Sequence, residues 1–290
     1  MLVRLSQCLM KSSLLNSKRI HEISIVRTMS IRLFEEKNHA SLYSSYRPTY
    51  PEKVYEKISD YCHDSYLVNN SFNLAVDVGC GSGQSTVPLC KLFKHVIGYD
   101  VSDQQIAHAP KDIENLSFKV GSGEDLSFLE DKSVDLITVA QALHWFNLDL
   151  FYPEVRRVVK PGGVFVGYGY GTCYFKNELA QEAFMQFYSD LIGPYWDQQR
   201  RHIEDEYRNL GHPFKHFTRI DSDDIQIHRN MSVNAFVGYL SSMSAWQCYL
   251  KQYPDSDSLD QYRKKFENIY PDGNVDVYWK VFMLIGRKDI

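Results

Sequence analysis

The chain has 290 residues, of which 44% are hydrophobic and 23% charged, as in an ordinary globular protein. Its formal net charge is −4 at pH 7 and no basic stripe is present, so we expect no nucleic-acid partner. No apolar run is long enough to cross a membrane, and we expect no membrane partner. The six cysteines show no C-x-x-C pair and no zinc spacing, which indicates free thiols and no metal site.

Residues 1–28 differ in composition from the rest of the chain. They contain five Lys or Arg residues and one acid, Glu22, among serines and aliphatic residues. This composition is typical of a mitochondrial presequence. The alternative is a disordered extension before a working start at Met29. We therefore expect a cytoplasmic protein, or a mitochondrial one if residues 1–28 direct the chain there.

Residues 29–71 are predicted to form N-terminal helices, with a break at Arg47-Pro48. Pro51-Glu52 is a favourable helix start. Proline has no backbone N–H group, and in the first turn of a helix that group would have no partner within the helix. A polar stretch, residues 69–71, then leads into the next segment as a linker.

The segment 74–83, LAVDVGCGSG, is the most informative part of the chain. Its first five residues form an apolar run typical of a buried strand, with Asp77 near the end. Three glycines follow at alternate positions: Gly79, Gly81 and Gly83. A ligand can approach such a backbone closely because no Cβ is in the way. Residues 85–93 are expected to form the next helix, with its free N–H groups directed at the ligand, as in a nucleotide-binding βα unit.

The glycine spacing distinguishes between cofactors. A dinucleotide fingerprint, G-x-G-x-x-G, needs its third glycine at position 84, which is Gln84. A P-loop is excluded because no Gly-Lys-Ser/Thr follows. Asp100, after a second predicted strand, can accept hydrogen bonds from both ribose hydroxyls, but NAD-binding folds use the same acid. The D-x-G-x-G-x-G pattern resembles instead the first motif of class I S-adenosylmethionine (SAM) methyltransferases.

Strands and helices alternate from residue 72 to residue 171, which predicts a doubly wound parallel sheet. The predicted strands are 74–78, 95–99, 116–120, 134–140 and 164–168. Ser102 is expected to cap a helix that ends near Ala109, and an amphipathic helix is expected over 151–159. The core that binds the cofactor is therefore assigned to 72–171.

The strict alternation is lost after residue 171. Residues 172–275 are predicted to form a mainly helical lid that contacts the substrate. Within it we expect a short strand pair at 217–220 and 225–229, followed by a helix that Ser232 caps. Residues 276–290 are predicted to return to the sheet as its final strand.

Four segments are similar to the type 11 branch of class I SAM-dependent methyltransferases, and within it to trans-aconitate methyltransferase-like proteins. They are SLYSSYRPTYP (41–51), DVGCGSG (77–83), GSGEDL to VDLITVAQALHWF (121–146) and EVRRVVKPGGVFVGYGYG (154–171). The resemblance implies a Rossmann-like α/β fold with a seven-stranded sheet whose last strand is antiparallel. It also implies that SAM is the cofactor and lies across the carboxyl ends of the strands.

The resemblance assigns roles to individual residues. The implied cofactor-binding residues are Arg47, Asp77, Gly79, Gly81, Gly83, Asp100, Glu124, Asp125 and Gln141. Of these, Arg47 is expected to pair with the SAM carboxylate and Asp125 to accept from the adenine amine. His144 is the candidate catalytic residue, either as a base for a hydroxyl or amine or as a donor that orients a carboxylate. The alternative is a histidine that only fixes its loop.

The sequence thus predicts an enzyme that methylates a small molecule, with an oxygen of a small organic acid as the expected acceptor. One alternative is a protein of the same fold that binds SAM or a partner without turnover. A second alternative is an NAD-dependent oxidoreductase, which Gln84 disfavours.

Overall fold

The computed structural model describes residues 46–63, 72–221 and 225–290. The expectations for residues 1–28, for the first part of the N-terminal helices and for the linker at 69–71 lie outside the described residues. Helix α1 spans Glu52–His63 and begins where Pro51-Glu52 predicts. No helix in the described part of the chain has the length and apolar composition that a membrane span requires.

Five parallel strands follow α1. They are β1 (Leu74–Val78), β2 (His95–Asp100), β3 (Leu116–Val120), β4 (Val134–Ala140) and β5 (Val159–Tyr170). Between them lie α2 (Asp103–Ala107), α3 (Leu148–Val158) and two 3₁₀ helices, Val87–Lys91 and Leu143–Trp145. All five predicted strands are present, and β5 begins earlier than predicted.

The remainder of the chain contains helices and three more strands. In order they are α4 (Glu178–Met185), a π-helical turn (Gln186–Leu191), a 3₁₀ turn (Gly193–Tyr195), α5 (Arg200–Glu204), β6 (Phe217–Ile220), β7 (Gln226–Ser232), α6 (Val233–Ser241), α7 (Ser244–Gln252), α8 (Ser258–Ile269) and β8 (Asn274–Arg287). Ser232 caps α6 as predicted, since its hydroxyl accepts from the backbone N–H of Ala235 at 3.1 Å.

The strands form one sheet, in which seven follow the order β3-β2-β1-β4-β5-β8-β6 and β7 pairs with β8 outside that path. β8 runs antiparallel to β5 and to β6. The predicted Rossmann-like fold with an antiparallel last strand is therefore confirmed. The described part of the chain has eight strands in the sheet rather than the expected seven, because β8 is long enough to pair with β7 as well. The strand order reverses between β1 and β4, and ligands of such sheets bind at the carboxyl ends of the strands near that point.

The predicted pairing of 217–220 with 225–229 is wrong. Both segments are strands, but each pairs with a different part of β8. β6 pairs with 283–286, and β7 pairs with 274–280. β8 has 14 residues, and its length provides a complete ladder for each of the two short strands.

The helix predicted at 85–93 is also wrong, because the segment forms turns and the short 3₁₀ helix Val87–Lys91. The hydroxyls of Ser85 and Thr86 donate to the Asp77 carboxylate at 2.9 and 2.6 Å. Such side-chain bonds compete with a regular helix start, and Pro88 lies in the first turn of the 3₁₀ helix. The long helix expected to direct its N–H groups at the ligand is therefore absent at 85–93.

Both faces of the central strands β1, β4 and β5 are buried, which explains the continuous apolar runs of these strands. Consecutive residues of β5 alternate between two hydrophobic clusters, with Val164 and Val166 in one and Phe165 in the other. Helices α1, α4, α6 and α8 contribute to the first cluster, and α3 contributes to the second. The helical layers leave the carboxyl edge of β1, β2 and β4 accessible to a ligand.

Candidate cofactor and active site

A cavity of about 460 Å³ opens at the carboxyl ends of β1, β2 and β4. Small-molecule sites in proteins are typically roughly 300 to 1,000 Å³ in volume. The cavity lies where the strand order reverses. Its lining contains five of the predicted cofactor residues: Gly79, Gly81, Asp100, Glu124 and Gln141. The structure thus brings together residues from four separate segments of the chain.

Gly79 forms the turn at which β1 meets this cavity. Its backbone has a φ of +71°, which is strained for residues other than glycine. A Cβ at this position would lie 2.6 Å from the Cβ of Ala142, in the segment after β4. Glycine is therefore required here by the turn and by the close approach of the neighbouring backbone.

Asp100 lies at the end of β2 and lines the same cavity. One carboxylate oxygen accepts from the backbone N–H of Gly81 at 2.8 Å, and the other accepts from that of Ser102 at 2.9 Å. Each oxygen keeps a second lone pair, so Asp100 can hold the glycine loop and still accept hydrogen bonds from a ribose. Burial raises the pKa of the Asp100 carboxyl above its usual value, and the two N–H donors offset part of that rise.

The wall opposite Asp100 is formed by the segment after β4. Trp145, Phe146 and Leu150 supply its apolar surface. Glu124 fixes this segment, because one of its oxygens accepts from the backbone N–H of Asn147 at 2.8 Å. An apolar slot beside a carboxylate can hold a nucleoside, with the base against the aromatic wall and the ribose at the acid.

A second cavity of about 80 Å³ adjoins the first, and both are lined by Gly79, Gly81, Gln105, Ala140 and Gln141. Arg47 and Tyr170 also line the second cavity. Arg47 donates to the backbone carbonyl of Ser242 at 3.2 Å, and its guanidinium lies 5.5 Å from the ring centre of Tyr239. A guanidinium at this end of the site can pair with the carboxylate of an amino-acid moiety.

Gln141 lies at the junction of the two cavities. Its φ is +55°, a value that non-glycine residues rarely adopt and that often occurs at functional sites. The side-chain amide donates to the backbone carbonyl of Tyr170 at 3.1 Å and accepts from its N–H at 3.3 Å. Gln141 therefore ties the end of β4 to the end of β5.

Three predicted cofactor residues line neither cavity. Asp77 is fully buried and accepts from the hydroxyls of Ser85, Thr86 and Thr138. A Cβ at Gly83 would lie 2.7 Å from the Phe118 ring, so this glycine serves packing rather than ligand approach. The Asp125 carboxylate accepts from the backbone N–H of Ser127 at 3.0 Å. These three residues therefore stabilise the segments around the cavities and do not line them.

His144 is not brought to either cavity. Its ring is buried, and Nδ1 lies 3.0 Å from the Tyr207 hydroxyl. Burial lowers the pKa of His144 well below its usual value, and the positive charges of Arg200 and His202 lower it further. The expected catalytic role therefore has no geometric support, and the alternative of a neutral histidine that fixes its loop agrees with these contacts.

Several lining residues were missed in the sequence, among them Tyr99, Gln105 and Asn147. The signal that could have found them is their position at the carboxyl ends of the strands or at the starts of the helices that follow. The described residues contain no cluster of three or more His, Cys, Asp or Glu side chains that could hold a metal ion. The five described cysteines are free thiols: Cys62, Cys80, Cys90, Cys173 and Cys248.

We expect the contribution of the buried histidines to the free energy of unfolding to decrease as the pH falls from about 6.5 towards 4. Burial lowers the pKa of His212 to about 4, and that of His144 is lowered as well. The unfolded chain then binds more protons than the folded one, so stability is lost at acidic pH. His212 alone accounts for about 3 kcal/mol. Urea denaturation at a series of pH values measures the effect.

The matched variant for this measurement is His212→Asn. The asparagine carbonyl can replace Nδ1 as the acceptor for the backbone N–H of Phe214, which lies at 3.1 Å. The variant should lose less stability than the wild type over the same pH interval. Parallel curves for the two proteins would contradict the assignment to His212.

The family described as Methyltransferase domain matches residues 76–167. A Dictyostelium discoideum protein that carries a methyltransferase name is 36% identical over 254 residues, 85% of this chain and 92% of the relative. A Saccharomyces cerevisiae protein named as an S-adenosylmethionine-dependent methyltransferase is 30% identical over 172 residues, 56% of each chain. The solved structure of a methyltransferase from Anaeromyxobacter dehalogenans has a TM-score of 0.72 at 29% identity, covering 84% of this chain and 100% of that one.

These similarities extend well beyond the glycine loop. The Dictyostelium relative matches most of both chains, and the bacterial structure shares the architecture of the sheet and its helices. None of the names refers to trans-aconitate, so that branch stays a prediction. The similarities exclude the NAD oxidoreductase alternative and support an enzyme over a protein without turnover. The chain belongs to the class I SAM-dependent methyltransferases.

Proposed function

We propose that the enzyme transfers the SAM methyl group to a carboxylate oxygen of a small organic acid. The observation that carries the proposal is the lining of the two cavities. Among the described lining residues the acids are Asp100 and Glu124, both beside the larger cavity, and histidine is absent. The lining of the second cavity, which Gln141 borders, therefore contains no carboxylate or imidazole that could remove a proton from an acceptor.

A carboxylate acceptor needs no such base. Its ordinary pKa is about 4, so it is ionised at neutral pH. Bound SAM supplies a methyl group attached to a sulfonium sulfur. A lone pair of the acceptor oxygen forms the new O–C bond while the C–S bond breaks, and the bonding pair goes to sulfur. A hydroxyl or amine acceptor would also have to lose a proton.

The chain contributes alignment and a water-poor environment to this displacement. Gln141 is held at both ends of its amide by Tyr170, which fixes the junction of the cavities. In this proposal Arg47 binds the carboxylate of the SAM methionine part and Asp100 binds its ribose. Alignment of reacting atoms and removal of water are the main sources of acceleration for a displacement of this type.

The dimensions of the site favour a small acceptor. The second cavity measures only about 80 Å³ and is bordered by the segment before α1, the glycine loop and the end of β5. The net charge of −4 gives no general attraction for nucleic acid. Beside the methionine part of the cofactor, this cavity leaves little room for a protein segment or an RNA strand, which favours a small acceptor.

The test is an assay with methyl-labelled SAM and a low-molecular-mass metabolite extract. We expect a labelled product that releases volatile methanol under mild alkali, because methyl esters hydrolyse under these conditions. The same reaction with Asp100→Ala gives the background. A product whose label resists alkali would show methylation of nitrogen, carbon or a hydroxyl, and would overturn the carboxylate proposal.

Cofactor choice is a separate prediction. Position 84 is glutamine, so the loop lacks the third glycine of the dinucleotide fingerprint, which allows the helix to pack closely on the strand. Calorimetry should detect binding of SAM and S-adenosylhomocysteine and no binding of NAD. Binding of NAD alone would contradict the placement of the cofactor at this loop.

A further inference from the structure

The carboxyl end of β5 borders a space that no side chain fills. Gly169 is the penultimate residue of β5, and Gly171 directly follows the last residue of the strand. A Cβ at Gly169 would lie 2.5 Å from the Gln141 side-chain oxygen, whereas a Cβ at Gly171 would meet no atom within 4 Å. Gln141 thus occupies the first position, and the second is open. It follows directly after Tyr170, which lines the second cavity.

Arg200, the first residue of α5, is attached to this end of β5. Its Nε donates to the Tyr188 hydroxyl at 3.2 Å, and the Thr172 hydroxyl donates to the same oxygen at 3.3 Å. The Tyr188 hydroxyl in turn donates to Glu204 at 2.7 Å. The guanidinium also lies 5.0 Å from the ring centre of Trp196. These contacts orient Arg200 next to the residue that follows Gly171.

The guanidinium of Arg200 forms no direct ion pair with a carboxylate in the described ranges, and Glu204 is linked to it only through Tyr188. Arg208 differs, because it pairs with Glu206 and Asp221. With Nε bound to Tyr188, the two terminal nitrogens of Arg200 remain for a ligand.

The charge of Arg200 reaches the ends of both β4 and β5. Burial lowers the pKa of His144, after β4, and Arg200 lowers it further. Burial raises the pKa of Cys173, after β5. A hydrogen bond with Tyr239 offsets part of that rise, and the charges of Arg200 and Arg47 offset a smaller part. The two arginines therefore act on the same region, with Arg47 on the side of the second cavity.

We propose that Arg200 is a specificity-determining residue that binds an anionic group of the methyl acceptor in the open space beside Gly171. The inference rests on the proposed function, because it assigns the acceptor of that reaction to this space. Two terminal N–H groups of a guanidinium can bind a carboxylate with parallel hydrogen bonds. Tyr188 and Trp196 hold the guanidinium in place, so little freedom is lost on binding.

The experiment compares acids with their neutral amides. The complex of the protein with S-adenosylhomocysteine is titrated with aliphatic carboxylates and with the matching carboxamides, and thermal stability reports binding. The wild type should bind at least one acid at least about tenfold more tightly than its amide, since a charge-assisted pair is lost in the amide. Arg200→Gln should remove that preference, and Arg200→Lys should restore part of it.

The control is Arg201→Gln, which removes the same charge from an exposed neighbour in the same helix. It should keep the preference for the acid. In the labelled-SAM assay, Arg200→Gln should raise the acceptor KM more than it lowers kcat, and its affinity for S-adenosylhomocysteine should equal that of the wild type. An acid preference that survives in Arg200→Gln, or that the wild type lacks, would overturn the assignment.

The two proposals fail separately. An alkali-stable methylated product together with an acid preference that depends on Arg200 would refute the carboxylate acceptor alone. An alkali-labile product with equal binding of acids and amides would refute the role of Arg200 alone.

Discussion

Asp100→Ala is expected to weaken SAM binding at least about tenfold, because the ribose hydroxyls lose a charged acceptor and each such bond contributes on the order of 1.5–3 kcal/mol. The substitution also removes the acceptor of the Gly81 and Ser102 N–H groups. The glycine loop should therefore be less ordered in the free protein, which adds to the loss. Calorimetric titration with SAM and S-adenosylhomocysteine measures the effect.

Asp103→Ala is the matched control for this experiment. It removes one carboxylate from the same region, but Asp103 is exposed in the first turn of α2 and lines neither cavity. Its cofactor affinity should be close to that of the wild type. If Asp100→Ala folds and binds SAM with an unchanged dissociation constant, the ribose lies elsewhere.

The sequence predicted those features that nearby residues determine. β1 spans Leu74–Val78, as expected, because the apolar run ends at Gly79. Ser102 caps α2 with its own hydroxyl, which accepts from the N–H of Gln105 three positions later. The glycine loop and Asp100 meet at one cavity because the carboxyl ends of neighbouring parallel strands lie at one edge of the sheet.

Features that depend on distant residues were predicted less well. His144 contacts Tyr207, 63 positions later, and no local pattern links the two. β6 and β7 have the spacing of a hairpin, yet each pairs with β8. The pairing partner of a strand depends on which pairing buries more surface in the folded chain. A short window of sequence does not contain that information.

The sequence also does not show which of two similar acids lines the cavity. Glu124 lines the larger cavity, whereas Asp125 turns away and binds the N–H of Ser127. Both are acids after β3, and only the loop conformation separates them. Asp77 is a comparable case, since its place at the end of β1 resembles that of Asp100 at the end of β2.

Asp77→Ala is expected to destabilise the protein by about 3 kcal/mol or more, because it leaves three buried hydroxyls without their acceptor. These hydroxyls belong to Ser85, Thr86 and Thr138, at 2.9, 2.6 and 2.7 Å from the carboxylate oxygens. They connect β1 to the glycine loop and to β4, so the loss should appear in global unfolding. Urea denaturation at neutral pH measures it.

Asp77→Asn separates this structural role from cofactor binding. The amide keeps the volume and one acceptor oxygen, and its NH₂ group can donate to a hydroxyl that has rotated. Burial raises the pKa of Asp77, with the three hydroxyl donors offsetting part of the rise. A raised pKa means that the folded form is favoured at low pH and loses this advantage as the pH rises. The asparagine variant, which does not titrate, should therefore gain stability relative to the wild type with increasing pH.

Cofactor affinity then decides between the two roles of Asp77. Because the carboxylate is fully buried and lines neither cavity, folded Asp77→Asn should bind S-adenosylhomocysteine about as tightly as the wild type. Asp100→Asn should bind S-adenosylhomocysteine more weakly than the wild type. Its carboxamide presents a donor where the Asp100 carboxylate accepts from backbone N–H groups. A stable Asp77→Asn protein that no longer binds the cofactor would show that Asp77 contacts it, and the assignment of Asp77 to the scaffold would be wrong.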